Sequence, residues 1–592
     1  MIGEKKKKLR LLKREPKDKD KKKRDFSKQL SIAYKNLDDP KKYQRNILLP
    51  LIVLGVLIFC LPFILDLIIE IPLDLNPITF IVGGIVPIFL GILYPYISWK
   101  NKENDINGKM HYFITHLRVL AISDMSLKDI IKILGGKKVY GSLGKEIEKT
   151  SILSTQWKVP LARSFKFVSD RTPSKILKDF LDRFAQSMAS GVDHREFIET
   201  EQKAVLEEYK TTYETANENI VIINEVYTGL LISIIFIMSL GIVVPIIMGG
   251  WDMNTYLILS AFLLIISEGM LLYLLRAMVP RDEVWHQSGE KGAIELKLWK
   301  SFKISIIACI VIGFVLFFGK YRLGIPVLSM IPFEILTAIS VTPLFIPGLK
   351  TLKAETEITR KEKSFLGFLP ALGAISAMRG GKINDSVYYL SEKDYGILTH
   401  HIRDLYRRLR TRINDDSAWE WFGVDTGSNH IQRSSEMFRE ATYSAANPRV
   451  ASSMIADNIR KIRDLRIKKF SIIGTSASLF AGITFGVAFS VYVSLVIARH
   501  LNSLVLEENI GNPFESIGMS AILTAMPPET FVNAFLIVFI VLLIHCFIMA
   551  LTIRGLRDSH ILVTLAYFVP FVWIIAVTAT LVDIVLTGVL VV

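Results

Sequence analysis

Phosphate chemistry, metal chemistry and nucleophilic catalysis each need particular side chains at particular spacings, and this sequence supplies few of them. A phosphate-cradling loop has the pattern G-x-x-x-x-G-K-[ST], whose backbone amides and lysine hold the phosphates. Gly144-Lys145 and Gly381-Lys382 carry only the glycine-lysine pair. H-E-x-x-H and G-x-S-x-G are absent. His400 and His401 are adjacent and diverge on a helix, and His111 and His116 are five apart, off the spacing that puts two imidazoles on one helical face. Cys60, Cys309 and Cys546 sit far apart in apolar runs and read as small buried hydrophobes, with no zinc or redox pairing on offer. The chain is expected to be no enzyme and to use no cofactor or metal.

Two further groups of ionisable residues stand out. Glu268, Glu334, His545 and Asp583 lie inside long apolar runs. Ionisable groups in a membrane are costly and default to a functional hypothesis, such as an ion or proton path. Four of them, scattered, compose no relay, so helix–helix hydrogen bonding is the expected role. Arg403, Arg407 and Arg410, spaced four and three apart, share one helix face, and Arg408 and Arg412 flank it. Guanidinium groups grip carboxylates in planar, bidentate pairs. The plainer reading of this face is a solvated or headgroup-facing surface; the sharper one is a dock for an acidic protein surface.

The elements that must position these groups follow from how charge and apolar residues are distributed. Of 592 residues 51% are hydrophobic, mean hydropathy is +0.38, and 21% are charged, so the two kinds of residue must be segregated along the chain. That excludes an ordinary soluble enzyme, a disordered chain and a disulfide scaffold. Nine stretches are long and apolar enough to span about 30 Å of hydrocarbon: Ile47–Ile69, Pro77–Ser98, Glu225–Met248, Tyr256–Leu275, Phe302–Gly319, Gly324–Leu349, Phe470–Ile497, Thr530–Ile553 and Ile561–Leu586. The fifth and sixth, separated by Lys320–Leu323, are expected to form a tight hairpin. Met1–Asn46 holds 18 basic and 7 acidic residues, whereas Glu70–Asn76 has no basic residue. The positive-inside rule then places the N-terminal tail and two large insertions in the cytoplasm and the C-terminus outside. The net charge of +15 reads as anchoring against an anionic leaflet, not as nucleic-acid binding.

The expected organisation is a basic tail (1–46), a membrane hairpin (47–98), a cytoplasmic insertion (99–224), a second hairpin (225–275), a cytoplasmic loop (276–301), a third hairpin (302–349), a second insertion (350–469) and three further spans (470–592). This layout is a same-way-up duplication. Phe113–Ser123 can be laid against Phe365–Ser376 with one residue inserted, and Phe165 and Phe184 are nineteen apart, as are Trp419 and Phe438. Both insertions read as helical. Phe113, Leu117 and Leu120 mark one helix face. Ser126–Asp129 resembles a capping box opening a short helix that stops at Gly135-Gly136. Thr172-Pro173 reads as an N-cap with proline at the first helical position of the helix carrying Ile176, Phe180 and Phe184. Glu199–Asn224 and Arg449–Lys469 read as polar helices leading into the third and seventh spans. The fold class is therefore all-α: a polytopic membrane protein with about nine transmembrane helices and two duplicated cytoplasmic helical bundles.

Duplicated cytoplasmic helical segments, each leading into a membrane hairpin, resemble the type II secretion system F-domain family, the platform proteins of secretion systems, type IV pili and archaella. The resemblance rests on Phe113–Leu134, Phe180–Ser190, Gly191–Phe197 and Leu206–Tyr209. The second copy is more divergent, with Tyr443–Pro448 in place of the Gly191 turn. The length and basic tail look most like the archaellum or archaeal pilus branch. Such a resemblance implies a platform in the cell membrane that binds a hexameric secretion-superfamily ATPase and helps insert pilin-like or archaellin subunits into a filament. A homodimer is implied as well. Arg403, Arg407, Arg408, Arg410 and Arg412 would then be the candidate ATPase-docking residues. The alternative from a different class is a transporter or channel built on a parallel repeat; the large cytoplasmic insertions favour the platform.

Overall fold

The structure is a computed structural model that describes Tyr34, residues 40–57, Phe59 and residues 77–248, 253–411, 414–507 and 526–590. Among these residues it is helical, with no strand beyond one isolated bridge between Trp285 and Ser428. Seven helices among the described residues are long and apolar enough to cross a membrane. They include the third to ninth expected spans. The first expected span, Ile47–Ile69, runs into undescribed residues, and its described part is a short apolar helix, Gln44–Leu57. The second, Pro77–Ser98, is helical throughout and continues without a break to Ala121. Cys60 lies outside the described residues.

The two insertions carry the same succession of elements. An outgoing helix (Pro77–Ala121, then Phe345–Met378) is followed by a nine-residue helix (Leu127–Gly135, Ile383–Ser391) and a single 3-10 turn (Lys138–Tyr140, Gly396–Leu398). Three short helices come next: Gly141–Thr155, Leu161–Ser169 and Lys175–Ala189 in the first copy, Thr399–Arg410, Asp415–Thr426 and Asn429–Tyr443 in the second. Each copy closes with a very long return helix, His194–Met248 and Pro448–Glu507. At 1.5 Å per residue these rods are about 80 and 90 Å long.

The start of each return helix shows why it forms there. Gly191 (φ +73°) and Ala445 (φ +62°) hold the left-handed backbone that reverses the chain. Two residues on, Asp193 Oδ1 accepts from the Arg195 amide at 3.2 Å, and Asn447 Oδ1 accepts from the Arg449 amide at 3.0 Å. Both are side-chain N-caps on otherwise orphan donors. Pro448 then sits at the first helical position, where its missing N–H costs nothing.

The chain divides into two compact units. In the first, residues 1–107 and 159–186, Phe165 stacks on Phe184 at 4.9 Å with Phe180 beside it. Ser174 donates to Asn107 at 2.5 Å. Gly55 and Gly84 face each other so closely that a Cβ on either would meet the other's carbonyl oxygen, the small-residue contact by which membrane helices approach. The second unit, residues 108–158 and 187–592, holds a membrane core in which Leu231, Ile242, Leu264, Val487, Leu542 and Val572 are fully buried. Below it, Tyr209 and Tyr213 of the first return helix pack on Ile462 and Leu465 of the second.

Two local expectations are corrected. The helix at Lys175 is capped by Ser174, whose hydroxyl accepts from the Leu177 amide at 3.0 Å, not by Thr172. The hairpin between the fifth and sixth spans is broader than Lys320–Leu323: the fifth helix runs to Tyr321 and the sixth opens at Phe333. Between them Gly324 (φ +59°) holds a left-handed backbone, a four-residue helix (Pro326–Ser329) follows, and Pro332 immediately precedes the helix that opens at Phe333. The sixth then leads through a 3-10 turn into Phe345–Met378, so no break separates membrane from insertion at residue 350.

Candidate functional site

The helix Thr399–Arg410 buries Ile402, Leu405 and Leu409 and turns Arg403, Arg407 and Arg410 outward. Arg403 Nε donates to the Ser391 carbonyl at 3.2 Å, and Arg407 Nη1 to Asp404 Oδ1 at 3.1 Å. His400 Nε2 lies 3.2 Å from the other Asp404 oxygen. Arg408 is turned inward instead: it donates to Asp425 Oδ2 at 2.5 Å, and its guanidinium lies 5.9 Å from the Trp421 ring centre. Arg412 lies outside the described residues. Arg410 also forms the rim of an open groove of about 1120 Å³, lined among others by Arg379, Tyr388, Tyr389, Tyr406 and Tyr443. Arg379 lies 3.8 Å over the Tyr389 ring. Tyrosine and arginine are the residues on which protein–protein binding energy concentrates.

Behind this helix lies a buried polar network that the sequence reading missed. Arg466, on the second return helix, donates from Nε and Nη2 to the two carboxylate oxygens of Asp282, both at 2.6 Å. Its Nη1 reaches both oxygens of Glu362 at 3.2 and 3.1 Å, and Nη2 also contacts His430 Nε2. Ser428 donates to Glu362 at 2.7 Å. Burial opposes charge on Asp282, but Arg466 beside it prevails and holds the carboxyl well below the usual range. One turn further along, Lys469 pairs with Asp558 at 2.9 Å, and Asp558 accepts from the Asp282 amide at 3.0 Å. Glu355 collects Trp285 Nε1, the Ser559 hydroxyl and the His560 amide at 2.9–3.0 Å. The network joins the loop after the fourth span, the second outgoing helix, the second return helix and the turn between the last two spans. A buried pair of this kind is weak evidence for stability but costs about 3–5 kcal/mol to break from one side.

A signal for it exists in the sequence. Ile455, Ile459, Ile462, Arg466, Lys469 and Ile473 are spaced four, three, four, three and four apart and are all buried. Arg466 and Lys469 therefore fall on the apolar stripe. Thr351, Glu355, Ile358, Glu362, Phe365, Leu369 and Leu372 repeat the pattern on the outgoing helix. Charges on a core stripe must find partners.

The same unit ties the two copies together. Tyr112 Oη lies 2.9 Å from His430 Nδ1. Lys137 pairs with Glu436 at 2.5 Å and with Glu440. His116 Nε2 lies 3.2 Å from Glu440 Oε2. Burial pushes the Glu440 carboxyl up, but His116 and Lys137 outweigh it and lower it to about 2.

Of the intramembrane ionisable residues, Glu268 and His545 are in contact and fully buried, and Thr484 Oγ1 lies 3.1 Å from His545 Nε2. Glu334 and Asp583 share a small cavity of about 160 Å³ with Tyr492 and Arg499.

Residues 113–242 match the family model described as Type II secretion system (T2SS), protein F. With its long apolar helices, the chain is thus a multi-pass membrane protein of the class built around that domain. It is 32% identical to Flagella accessory protein J of Methanocaldococcus jannaschii over 93% of this chain and 96% of that one. It is equally 32% identical to Flagella accessory protein J of Methanococcus voltae, over 93% and 97%. An uncharacterized protein of M. jannaschii is 24% identical over 24% of each chain. No solved structure matches it. The chain belongs to the flagella accessory protein J family.

Proposed function

We propose that this protein is the membrane platform of an archaellum- or type IV pilus-like assembly machine. It docks a cytoplasmic hexameric ATPase and couples it to insertion of pilin-like subunits and to filament assembly or rotation. It works without catalysis of its own, as a homodimer, with its N-terminus and both insertions in the cytoplasm and its C-terminus outside. The two domain copies are the insertions at 99–224 and 350–469. Membership of a family whose relatives are named flagella accessory proteins supports the reading.

The observation that carries the docking step is a continuous path of contacts. Arg408 pairs with Asp425, the neighbouring Thr426 carbonyl accepts from Lys361 at 3.2 Å, and Ser428 holds Glu362, which holds Arg466. Arg466 belongs to a helix that enters the membrane unbroken. A load placed on the exposed arginines is thereby applied to a rod that enters the bilayer.

The test is charge reversal. Changing Arg403, Arg407 and Arg410 together to Glu weakens ATPase capture from native membranes, while membrane insertion stays normal. Neutralisation to Gln weakens it less, and raised salt reproduces that milder defect. Undiminished capture by the reversed protein at low salt removes this face as the dock.

A further inference from the structure

Three arginines converge where the helical insertions meet the membrane, and the path from dock to membrane does not use them. Arg276 lies in the last turn of the helix Met253–Met278, and Arg554 in the last turn of Pro528–Arg557. Arg281 follows on the connecting loop. All three line one cavity of about 230 Å³, together with Glu283, Trp285, Asp558 and His560. Taking a liquid-water share of about 30 Å³, the space corresponds to about eight waters.

The charge balance of this cavity is uneven. Arg276 and Arg554 lie near enough to repel one another. Arg554 donates from Nε to the Ser559 carbonyl at 3.0 Å, which fixes its direction without neutralising it. Of the two carboxylates, Asp558 is committed to Lys469 and the Asp282 amide. That leaves Glu283, whose carboxyl burial pushes up. A cation at a helix C-terminus is favoured by the dipole, and this accounts for Arg276 and Arg554 singly. It does not account for three arginines facing one space with a single uncommitted carboxylate. The cavity wall is preformed: Trp285 Nε1 is held by Glu355 at 3.0 Å, and the Trp285 and His560 ring centres lie 5.4 Å apart.

Guanidinium forks match phosphate oxygens in planar pairs, and basic pockets between membrane helices at the headgroup level take phosphorylated headgroups. We propose that this cavity is a phosphate-ester site at the membrane surface, held by Arg276, Arg281 and Arg554 and walled by Trp285 and His560. Its occupant neutralises the arginines at a point where the fourth span, the eighth span and the buried network meet. The site is independent of where the ATPase docks.

The experiment uses the full chain, stripped of lipid in a non-ionic detergent, titrated separately with dioleoylphosphatidylglycerol in mixed micelles and with inorganic phosphate. Binding is read by tryptophan fluorescence and by the rise in thermal midpoint. The parent is compared with Arg276→Gln/Arg281→Gln, which leaves the Arg554 bond to Ser559 in place. The expected result is saturable binding by the parent that the double variant weakens roughly tenfold or more. Loss confined to the phospholipid identifies a lipid headgroup; loss that includes inorganic phosphate identifies a site for free phosphate as well. If the double variant does not elute as the parent does, Arg276→Gln alone, at an exposed position, carries the same comparison. Equal binding by parent and variant, or no binding of either probe by the parent, overturns the site.

Discussion

His111 shows how one buried side chain makes stability depend on pH. Its ring packs 4.1 Å from Tyr112 and 4.3 Å from Tyr209, centre to centre, and its two nitrogens meet no hydrogen-bond partner among the described residues. Burial, against the pull of Asp282, lowers its pKa to about 3. The folded chain thus holds His111 neutral, whereas the unfolded chain binds a proton near pH 6.5. The stability this contributes is fully present above about pH 6.5 and is lost as pH falls toward 3. Glu440, lowered to about 2, acts in the same direction but only below its ordinary range, from about pH 4.5 downward. Between pH 7 and 5 His111 alone accounts for a loss of about 2 kcal/mol. His111→Phe keeps a ring of similar shape and has no proton to gain. The thermal midpoint of the parent in detergent is expected to fall over this interval, and that of His111→Phe to fall distinctly less, the remainder coming from His401, which burial lowers to about 4, and from His286 and His560, which burial also lowers. A variant that loses as much midpoint as the parent would show that another group controls the response.

At the scale of elements, the turn before each return helix offers a direct comparison of the two copies. Gly191 and Ala445 occupy the same left-handed position, and Ala445 is exposed. A residue with a Cβ in that conformation costs about 1–2 kcal/mol relative to a right-handed one, whereas glycine bears only its larger unfolded-state entropy. Ala445→Gly is expected to raise stability by roughly 0.5–1 kcal/mol, and Gly191→Ala to lower it by a similar amount, both read as shifts of the thermal midpoint. No neighbouring atom lies within 4 Å of a Cβ added at Gly191, so that loss belongs to the backbone. The succession of helices around these turns was legible because it rests on local features: the Phe113, Leu117, Leu120 face, the Ser126 cap and the long runs into the third and seventh spans. The start of the sixth span was less so, because a count of apolar residues passes straight through Gly324 and Pro332. The Arg403, Arg407, Arg410 face was legible from spacing alone. Which arginine turns inward was not, because Asp425 lies seventeen residues from Arg408. The buried network was harder still, since Arg466 meets Asp282 across 184 residues and Glu362 across 104. Periodicity could flag Arg466 and Glu362 as charges on apolar stripes, but only the fold pairs them.

For the whole molecule, the governing question is which side of the membrane each polar segment occupies, because every partner surface depends on it. The outgoing helix Phe345–Met378 and both return helices carry the chain between membrane and insertion without interruption. Each insertion therefore lies on the side from which its helices emerge, and a single assignment fixes the others. Basic residues concentrate in the N-terminal tail and in the Arg403–Arg410 helix, and a cytoplasmic leaflet retains such segments. The connection between the fifth and sixth spans is the opposite marker, and Met330 within it is 86% exposed. Lys393, in the loop after Ile383–Ser391, is exposed on the second insertion. Of the three natural cysteines, Cys309 and Cys546 sit within spans and Cys546 is fully buried, and Cys60 lies outside the described residues, so each added thiol is read against the labelling of the parent chain. Met330→Cys is expected to react with a membrane-impermeant maleimide in intact cells. Lys393→Cys is expected to react only after the cells are opened. An Arg281→Cys substitution tests the loop between the fourth and fifth spans in the same way and should follow Lys393, since one crossing pair separates them. Labelling of Lys393→Cys in intact cells with protection of Met330→Cys would invert the molecule, placing the arginine face outside and beyond reach of a cytoplasmic ATPase.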